Sequence, residues 1–266
     1  MLKKLYKYLF ICKISLSNNL VYVENFIARN FFLAFIIYIM LMLWENIYGQ
    51  KGDIIAGLSL SQMIWYLIVT EMVTLSRSDV FNEVSTDVKN GNIAYMLNKP
   101  YNYILYCFSN SLGEIGVKLI TNIAIGLVIG ILYVGPLTGF KLIHLPFVIL
   151  SLLLGIGINF FVHISLSLTS FWVEENSAFY WIYSKLVFTL GGMLIPLEMF
   201  PEWIEKIARK LPFAYVTYSP ARLAVDFSFS SFSKALFFQL GYLLFFFLLS
   251  MFIYRKGVKA LNVNGG

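Results

Sequence analysis

Long blocks of apolar residues alternate with short polar segments along most of the 266-residue chain. Each of six blocks can cross the hydrocarbon core of a bilayer, which takes a helix of about 20 residues. The predicted spans lie at about 25–44, at about 54–75, within 104–134, within 145–171, at about 179–195 and at about 235–254. The blocks are continuous, whereas the strands of a transmembrane β-barrel alternate between apolar and polar positions. The pattern therefore predicts an all-α integral membrane protein with one domain over residues 1–266.

Residues 1–22 have the periodicity of an amphipathic helix. One face carries the apolar residues Leu2, Leu5, Leu9, Cys12, Leu16 and Leu20, and the opposite face carries Lys3, Lys4 and Lys7. We expect an interfacial helix that lies along the membrane surface with its lysines toward anionic headgroups. A frayed basic N-terminus is the alternative.

The polar connection at 76–101 lies between the second and third predicted spans. An apolar row, Phe81, Val84 and Val88, shares a helix with an acidic row, Asp79, Glu83 and Asp87. Gly91 is placed to end this helix, and Pro100 prevents a later one from continuing. We predict a short helix parallel to the membrane, with the acidic row outward for docking to a cytoplasmic partner. A solvated loop whose charges only keep it out of the bilayer explains the pattern equally well.

A second long polar segment, 196–234, lies between the fifth and sixth predicted spans. Pro201 suits the first position of a helix, and Pro212 is expected to end it. Trp203, Ile204, Ile207 and Leu211 form one face, and Glu202/Lys206 and Glu205/Arg209 are pairs with favourable i,i+4 spacing. We predict an amphipathic helix at the outer interface, or a re-entrant pair that caps the fifth and sixth spans. Any non-helical backbone at membrane depth must then be buried against protein.

Composition and charge sharpen this picture. Hydrophobic residues make up 59% and charged residues 13%, and the net charge is +6. Lys and Arg cluster near both chain ends and in 76–101, which predicts that both termini are cytoplasmic. The basic residues of 196–234 disagree, but long outer loops carry little weight in this rule. The positive charge is explained by orientation in the membrane, so we expect no nucleic-acid partner. Cys12 and Cys107 are expected to be free thiols.

Four charged residues fall inside predicted spans: Glu71, Glu114, Lys118 and Lys185. Such residues are candidates for function by default. Glu114 and Lys118 are four apart and can neutralise each other, with a substrate role as the alternative. Glu71 and Lys185 are expected to snorkel toward the cytoplasmic ends of their spans. Gly126 and Gly130 form a G-x-x-x-G pattern that weakly indicates close helix packing.

The sequence contains few residues in patterns that indicate enzymatic chemistry. His144 and His163 are the only histidines, and two isolated histidines do not fill a metal shell. The chain has no Gly-Lys dipeptide and therefore no G-x-x-x-x-G-K-[ST] phosphate loop. We expect no metal, no cofactor and no catalytic residue on this chain.

Several stretches in the same order resemble the ABC-2 type permeases, in the subgroup of small six-span subunits. The first is DVKNGNIAYMLNKP at 87–100, the second is GGMLIPLEMFP at 191–201, and Leu211-Pro212-Phe213, Pro220 and a basic tail ending in Gly265-Gly266 follow. Lys89 and Lys99 stand where arginine is more often expected. The resemblance implies that 76–101 is a coupling region for a separate ATPase and that 196–234 is an extracellular element. The implied coupling residues are Asp79, Glu83, Val84, Asp87, Val88, Lys89, Gly91, Lys99 and Pro100. Those of the outer element are Pro196, Pro201, Trp203, Pro212 and Phe213.

The same resemblance implies the permease half of an ATP-driven exporter in the plasma membrane of a prokaryote. Its partners would be ABC ATPase subunits that bind ATP and Mg²⁺, a second permease subunit, identical or related, and membrane lipids. The aromatic-rich spans suit a hydrophobic or amphipathic substrate. A secondary transporter that works alone, a non-transporting scaffold and an intramembrane enzyme are the competing hypotheses. The chain shows no visible inverted repeat and no obvious set of catalytic residues within its spans.

Overall fold

The computed structural model describes the backbone of residues 2–21, 23–137 and 139–264, and the side chains of 6–21, 31–137 and 139–260. The helices are α1 Leu2–Val21, α2 Val23–Lys51, α3 Leu60–Leu75, α4 Val80–Lys89, α5 Asn92–Leu97, α6 Tyr103–Val134, α7 Leu145–Ser167, α8 Ser177–Leu190, α9 Glu202–Ala208, α10 Pro212–Val216, α11 Tyr218–Val225 and α12 Phe229–Asn264. Two short antiparallel strands, β1 Ile54–Ile55 and β2 Leu58–Ser59, form a hairpin between α2 and α3. Three short 3-10 helices cover Leu142–His144, Leu168–Phe171 and Leu197–Met199. The predicted all-α class is confirmed.

Four helical segments of the described chain are long and apolar enough to cross a membrane: Phe31–Lys51, Tyr103–Val134, Leu142–Phe171 and Phe229–Ala260. They correspond to the first, third, fourth and sixth predicted spans. The second and fifth predicted spans contain the shorter helices α3, of 16 residues, and α8, of 14 residues. At 1.5 Å per residue these helices are roughly 24 Å and 21 Å long, against about 30 Å of hydrocarbon.

The predicted limits of the first, second and fifth spans were wrong for local reasons, and the sixth helix, α12, begins before 235 and continues past 254. The first helix continues through 45–51, which the sequence suggested was a polar loop. The second begins at Leu60 because the hairpin occupies 54–59 and Ser59 and Gln62 form a capping box. The fifth ends at Leu190 because the chain turns at Gly191 and at Gly192, whose φ is +67°.

The two ends of the helix bundle carry different elements. At one end, Lys7 Nζ donates to the Pro100 carbonyl at 2.5 Å, and Gly257 of α12 packs against the Phe171 ring. At the other end, Trp65 Nε1 donates to the carbonyl of Gly135 at 3.1 Å, and Gln62 Nε2 donates to that of Val225 at 3.3 Å. We call these the α4 end and the hairpin end. The first helix and the last part of α12 both reach the α4 end.

The close packing predicted from G-x-x-x-G joins α3 and α6. A Cβ on Gly126 would clash with Met72 Cε, and one on Gly130 would lie 2.6 Å from the Trp65 ring. Glycine at these positions lets the α3 side chains reach the backbone of α6. The prediction of a close helix contact is confirmed.

The first helix packs along α6, a contact that its sequence pattern did not predict. A Cβ on Gly113 would lie 2.5 Å from the Cys12 carbonyl oxygen, and Ser15 Oγ donates to the Asn110 carbonyl at 2.7 Å. Leu9 and Leu20 remain exposed, at 58% and 57%. Small and polar residues therefore face α6, and the described leucines are left on the outside. Lys3 and Lys4 lie outside the described side chains.

Candidate functional site

The predicted helix in the 76–101 connection is α4, which is buried on one face. Val80, Phe81, Val84 and Val88 are at most 9% exposed. Gly91, with a φ of +73°, follows the helix, and its N–H donates to the Val88 carbonyl at 3.1 Å. The left-handed φ costs glycine little, so Gly91 ends the helix as predicted. Its apolar row is what fixes α4 against the bundle.

The turn between α7 and α8 holds α4 in place. Asn176, 1% exposed, donates from Nδ2 to Ser85 Oγ at 3.1 Å and to the Leu166 and Ser167 carbonyls, both at 3.2 Å. These two carbonyls belong to the last turn of α7, where helical partners are missing. Asn176 therefore closes the end of α7 and binds α4 at once. The sequence analysis missed this residue.

Further contacts join α4 to the same turn and to the beginning of α8. Lys89 Nζ lies 3.3 Å from Glu175 Oε2, and the Phe81 and Tyr180 rings stack with centroids 4.6 Å apart. The backbone N–H of Ser177 also donates to Glu175, at 3.0 Å. The hydrogen bonds from Ser177 and the contact with Lys89 lower the pKa of Glu175 to about 2. The carboxylate of this ion pair is thus ionised at neutral pH.

A row of polar side chains on α6 binds the segment that leads into α4. The row has a spacing of four residues and consists of Asn110, Glu114, Lys118 and Asn122. Asn110 donates to Glu83 Oε2 at 3.5 Å, and Glu114 accepts from the Asp79 N–H at 3.3 Å. Lys118 donates to the Arg77 carbonyl and Asn122 donates to Ser76 Oγ, both at 2.9 Å. Lys118 also donates to Glu114, so the predicted i,i+4 ion pair is present. Its two members position the connection as well as neutralising each other.

The acidic row of α4 borders an open cleft beside α6. Asp79, Glu83 and Asp87 line a cleft of about 490 Å³ between the two helices. Tyr103 donates its hydroxyl to Asp87 at 3.3 Å. Partial desolvation in this cleft, together with the neighbouring carboxylates Glu114, Asp79 and Asp87, raises the pKa of Glu83. Asp79 and Glu83 are exposed and Asp87 is half-buried, and the row shares the open side of α4 with Asn82 and Thr86.

The end of the connection lies beside the first helix. Lys99 Nζ lies 4.5 Å from the centroid of the exposed Tyr95 ring. Pro100 is exposed and follows the short α5, and its carbonyl accepts from Lys7. Both residues are therefore at the α4 end, together with the rest of the predicted coupling region.

The 196–234 segment forms three short helices, α9, α10 and α11. Pro201 precedes α9 instead of opening it, and Pro212 begins α10 instead of ending a helix. Trp203 and Ile207 of the predicted apolar face are 66% and 52% exposed, so this face is not packed against the described protein. Phe213 is half-buried, with its ring centroid 5.9 Å from that of Tyr183. The predicted pairs are present, with Lys206–Glu202 at 3.1 Å and Arg209–Glu205 at 2.8 Å.

An unpredicted cluster surrounds Glu198, which follows Pro196 by two residues. Glu198 Oε1 lies 3.2 Å from both Arg209 and Arg222, and Tyr218 donates its hydroxyl to the same oxygen at 2.5 Å. Burial opposes ionisation, but the hydrogen bond from Tyr218 and the two guanidinium groups prevail and lower the pKa of Glu198. Local spacing did not predict this cluster, because the partners of Glu198 lie 11 or more residues from it along the chain.

The break after α8 exposes carbonyl groups that distant hydroxyls satisfy. Thr217 Oγ1 donates to the Gly191 carbonyl at 2.6 Å, Tyr66 donates to that of Gly192, and Thr70 Oγ1 donates to that of Met193 at 3.1 Å. Unpaired carbonyls are costly where water is excluded. The requirement that non-helical backbone be buried against protein is met here by α3 and by the residue before α11.

The remaining intramembrane candidates, Glu71 and Lys185, line a common cavity of about 460 Å³. Glu71 is 3% exposed, so the prediction that it snorkels was wrong. Lys185 is exposed and lies 5.2 Å from the Trp181 ring centroid. The sequence marked both residues as intramembrane charges but gave no sign that they share a cavity.

Within the described residues, no group of three or more His, Cys, Asp or Glu side chains is arranged to hold a metal ion. His163 is 2% exposed and packs edge-to-face on Tyr183, with ring centroids 5.3 Å apart. Cys12 and Cys107 are free. Among the described residues, the surface best suited to bind a partner is therefore α4 and the cleft beside it.

The family model described as ABC-2 family transporter protein matches residues 34–265. No significant match is found among curated proteins.

Proposed function

The chain belongs to the ABC-2 family of transporter proteins, and we propose that it is the permease subunit of an ATP-driven exporter whose ATPase is a separate chain. In this proposal α4 is the coupling helix that transmits ATP-driven motion to the bundle. The chain itself performs no catalysis, and the partner binds ATP and Mg²⁺.

The observation that carries the proposal is the way in which α4 is packed and hydrogen-bonded to the helix bundle. Its apolar face is buried, Asn176 binds it to the α7–α8 turn, and the α6 row binds the segment before it. Its other side is open and presents the acidic cleft. A helix held this firmly can pass a push from a docked partner to α6, α7 and α8 together. A solvated loop would not need these anchors.

We further propose six membrane crossings, made by α2, α3, α6, α7, α8 and α12, in a prokaryotic plasma membrane. The α4 end is cytoplasmic, because the basic residues near both chain ends and in 76–101 lie there. The short α8 is completed outward by the non-helical stretch after Gly191, and the outer element would be extracellular. Cysteines introduced at Asn90 and Glu202 should then react with an impermeant thiol reagent from opposite sides; labelling of both from one side would refute this topology.

We propose that two permease subunits, identical or related, share the substrate path. One chain has few charged groups with which to line an aqueous path alone, whereas two chains halve that demand. The exported substrate is expected to be hydrophobic or amphipathic. The alternatives are a secondary transporter, which would depend on an ion gradient instead of ATP, and a scaffold, whose ATPase partner no substrate would stimulate.

The test is co-purification of the chain with a candidate ABC ATPase encoded beside it. We expect Asp79→Lys, Glu83→Lys and Asp87→Lys together to abolish the complex, because they reverse the charge of the cleft. The separate variant Thr86→Trp places bulk on the exposed side of α4 without a charge change and should weaken the complex too.

The matched control is Glu45→Lys, Asp53→Lys and Glu202→Lys, which makes the same charge change at exposed positions. It should leave the complex intact, and all variants should keep the wild-type melting temperature. Mass measurement of the wild-type complex in nanodiscs should give two permease chains. Normal ATPase retention by both α4 variants would contradict the proposal.

A further inference from the structure

The cavity that contains Glu71 is lined by α2, α3, α7 and α8 and by the segments around Met193 and Val216. Phe32 of α2, Glu71 of α3, His163 of α7 and Lys185 of α8 all line it. Its volume of about 460 Å³ falls within the range of sites that hold small molecules, roughly 300–1,000 Å³. We call it the Glu71 cavity.

Glu71 lies in this cavity without a partner among the described side chains. The residue is only 3% exposed, and Oε2 is inaccessible and accepts no hydrogen bond. Among the described residues, no Lys, Arg or His nitrogen lies within the 4.0 Å ion-pair distance of its carboxylate. A buried carboxylate in this state is costly unless a donor reaches it.

Two cationic side chains of the cavity also have no carboxylate partner in the described part of the chain. Arg77 lies over the Tyr180 ring, with Cζ 5.7 Å from its centroid. Lys185 lies over Trp181, with Nζ 5.2 Å from the ring centroid. The ring faces hold the two cations near the cavity but do not neutralise them. Among the side chains that the structure describes, no further charged group lines the cavity besides these three.

The side chains facing these charges are polar and neutral, or apolar. Asn159 accepts the Tyr183 hydroxyl at 2.9 Å, and Ser184 Oγ is buried without a partner. Phe32 and Ile36 form an apolar wall on the α2 side. The cavity therefore combines one unpaired carboxylate, two unpaired cations and an apolar surface.

We propose that the Glu71 cavity binds a zwitterionic amphiphile, whose protonated amine meets Glu71 and whose anionic group meets Arg77 and Lys185. The apolar part lies against the α2 wall. A purely cationic amphiphile leaves both cations unpaired, and a purely anionic one leaves Glu71 without a donor. This inference rests on the proposed function only in identifying the ligand as the transported substrate.

Binding is tested on the purified full chain in dodecyl maltoside by native mass spectrometry, without ATPase or ATP. Three probes with a twelve-carbon chain separate the charge requirements: lauroyl lysophosphatidylethanolamine, lauroyl lysophosphatidylglycerol and dodecylamine. We expect the zwitterion to bind about tenfold or more tightly than either singly charged probe, because one additional hydrogen bond to a charged group accounts for a difference of that size. A fourth probe, 2-aminododecanoic acid, distinguishes a free zwitterion from a phospholipid. Its binding indicates a free amphiphile, and binding of the phospholipid alone indicates a membrane lipid.

Two substitutions locate the charges. Glu71→Gln should remove the preference for the zwitterion over lysophosphatidylglycerol, without weakening the binding of the latter. Lys185→Met should instead reduce the preference for the zwitterion over dodecylamine. A merely structural role would weaken all probes alike and leave selectivity unchanged.

The controls repeat each substitution outside the cavity. Glu45→Gln changes an exposed carboxylate, and Lys256→Met changes a lysine that lies over a ring, 4.7 Å from the Phe252 centroid. Both should bind as wild type. Equal binding of all probes, no binding, or unchanged selectivity in Glu71→Gln would overturn the proposal. Because no ATPase is present, any of these results leaves the test of α4 coupling unaffected.

Discussion

The connections at 76–101 and 196–234 both contain short helices, but their burial differs. In α4 the buried residues fall on one side, and Asn82 and Thr86 are exposed on the other. In α10 and α11 every residue from 214 to 221 is buried. The first helix lies on the bundle, whereas the second pair is inserted between α3, α7, α8 and α12.

This difference separates a surface from a structural core. A helix buried on one face keeps a second face for a partner, so changes on the open side should affect binding more than folding. A helix pair buried all round has no free face, so changes there should affect folding first. Three predictions test that distinction, in decreasing order of expected effect.

The largest effect is expected where α7 meets the backbone of α10. A Cβ on Gly155 would lie 2.7 Å from the Val216 carbonyl oxygen and 3.0 Å from that of Tyr215. Gly155→Ala should therefore destabilise the protein by about 3 kcal/mol, at the upper end of overpacking effects, because backbone atoms must move. Thermal unfolding in nanodiscs measures this change.

The control for Gly155→Ala is Gly116→Ala in α6, where a Cβ meets nothing within 4 Å. That substitution should stabilise the helix by up to about 1 kcal/mol through backbone propensity. Equal melting temperatures for the two variants would show that α10 can be displaced freely.

A smaller and more local effect is expected at the anchor of α4. Asn176→Ala removes the donor shared by Ser85, Leu166 and Ser167 and should cost about 2 kcal/mol. Hydrogen exchange of residues 80–89 should accelerate more than that of 214–221. Asn90→Ala, at an exposed site, should change neither segment; unaltered exchange of α4 in Asn176→Ala would mean that this anchor is dispensable.

The smallest effect should be seen at the Glu198 cluster, which is partly open to solvent. Because its folded-state pKa is below the ordinary value of 4.5, Glu198 stabilises the fold at neutral pH. This contribution is lost as the pH falls below about 4.5 and through the lower folded-state pKa. Glu198→Gln should have a lower melting temperature than wild type at pH 7, and the difference should shrink as the pH falls below that value. A constant difference across this range would contradict the assigned ionisation.

Features that depend on near neighbours in the chain could be predicted. The all-α membrane class, the buried face of α4 and the turn at Gly91 follow from hydrophobic periodicity and glycine geometry. The ion pairs Glu114–Lys118 and Glu205–Arg209 follow from i,i+4 spacing. The Ser59–Gln62 capping box could also have been recognised in the sequence, and it would have placed the start of α3 correctly.

Only the tertiary structure decided which polar groups meet across the bundle. Asn176 reaches Ser85 over 91 positions, and Tyr66 reaches the Gly192 carbonyl over 126. The Glu71 cavity likewise assembles side chains from α2, α3, α7 and α8. Periodicity tells which side of a helix is apolar, but it does not tell which distant donor satisfies a buried acceptor. That choice depends on how the helices pack, because hydrogen bonds need their partners within about 3 Å and correctly oriented.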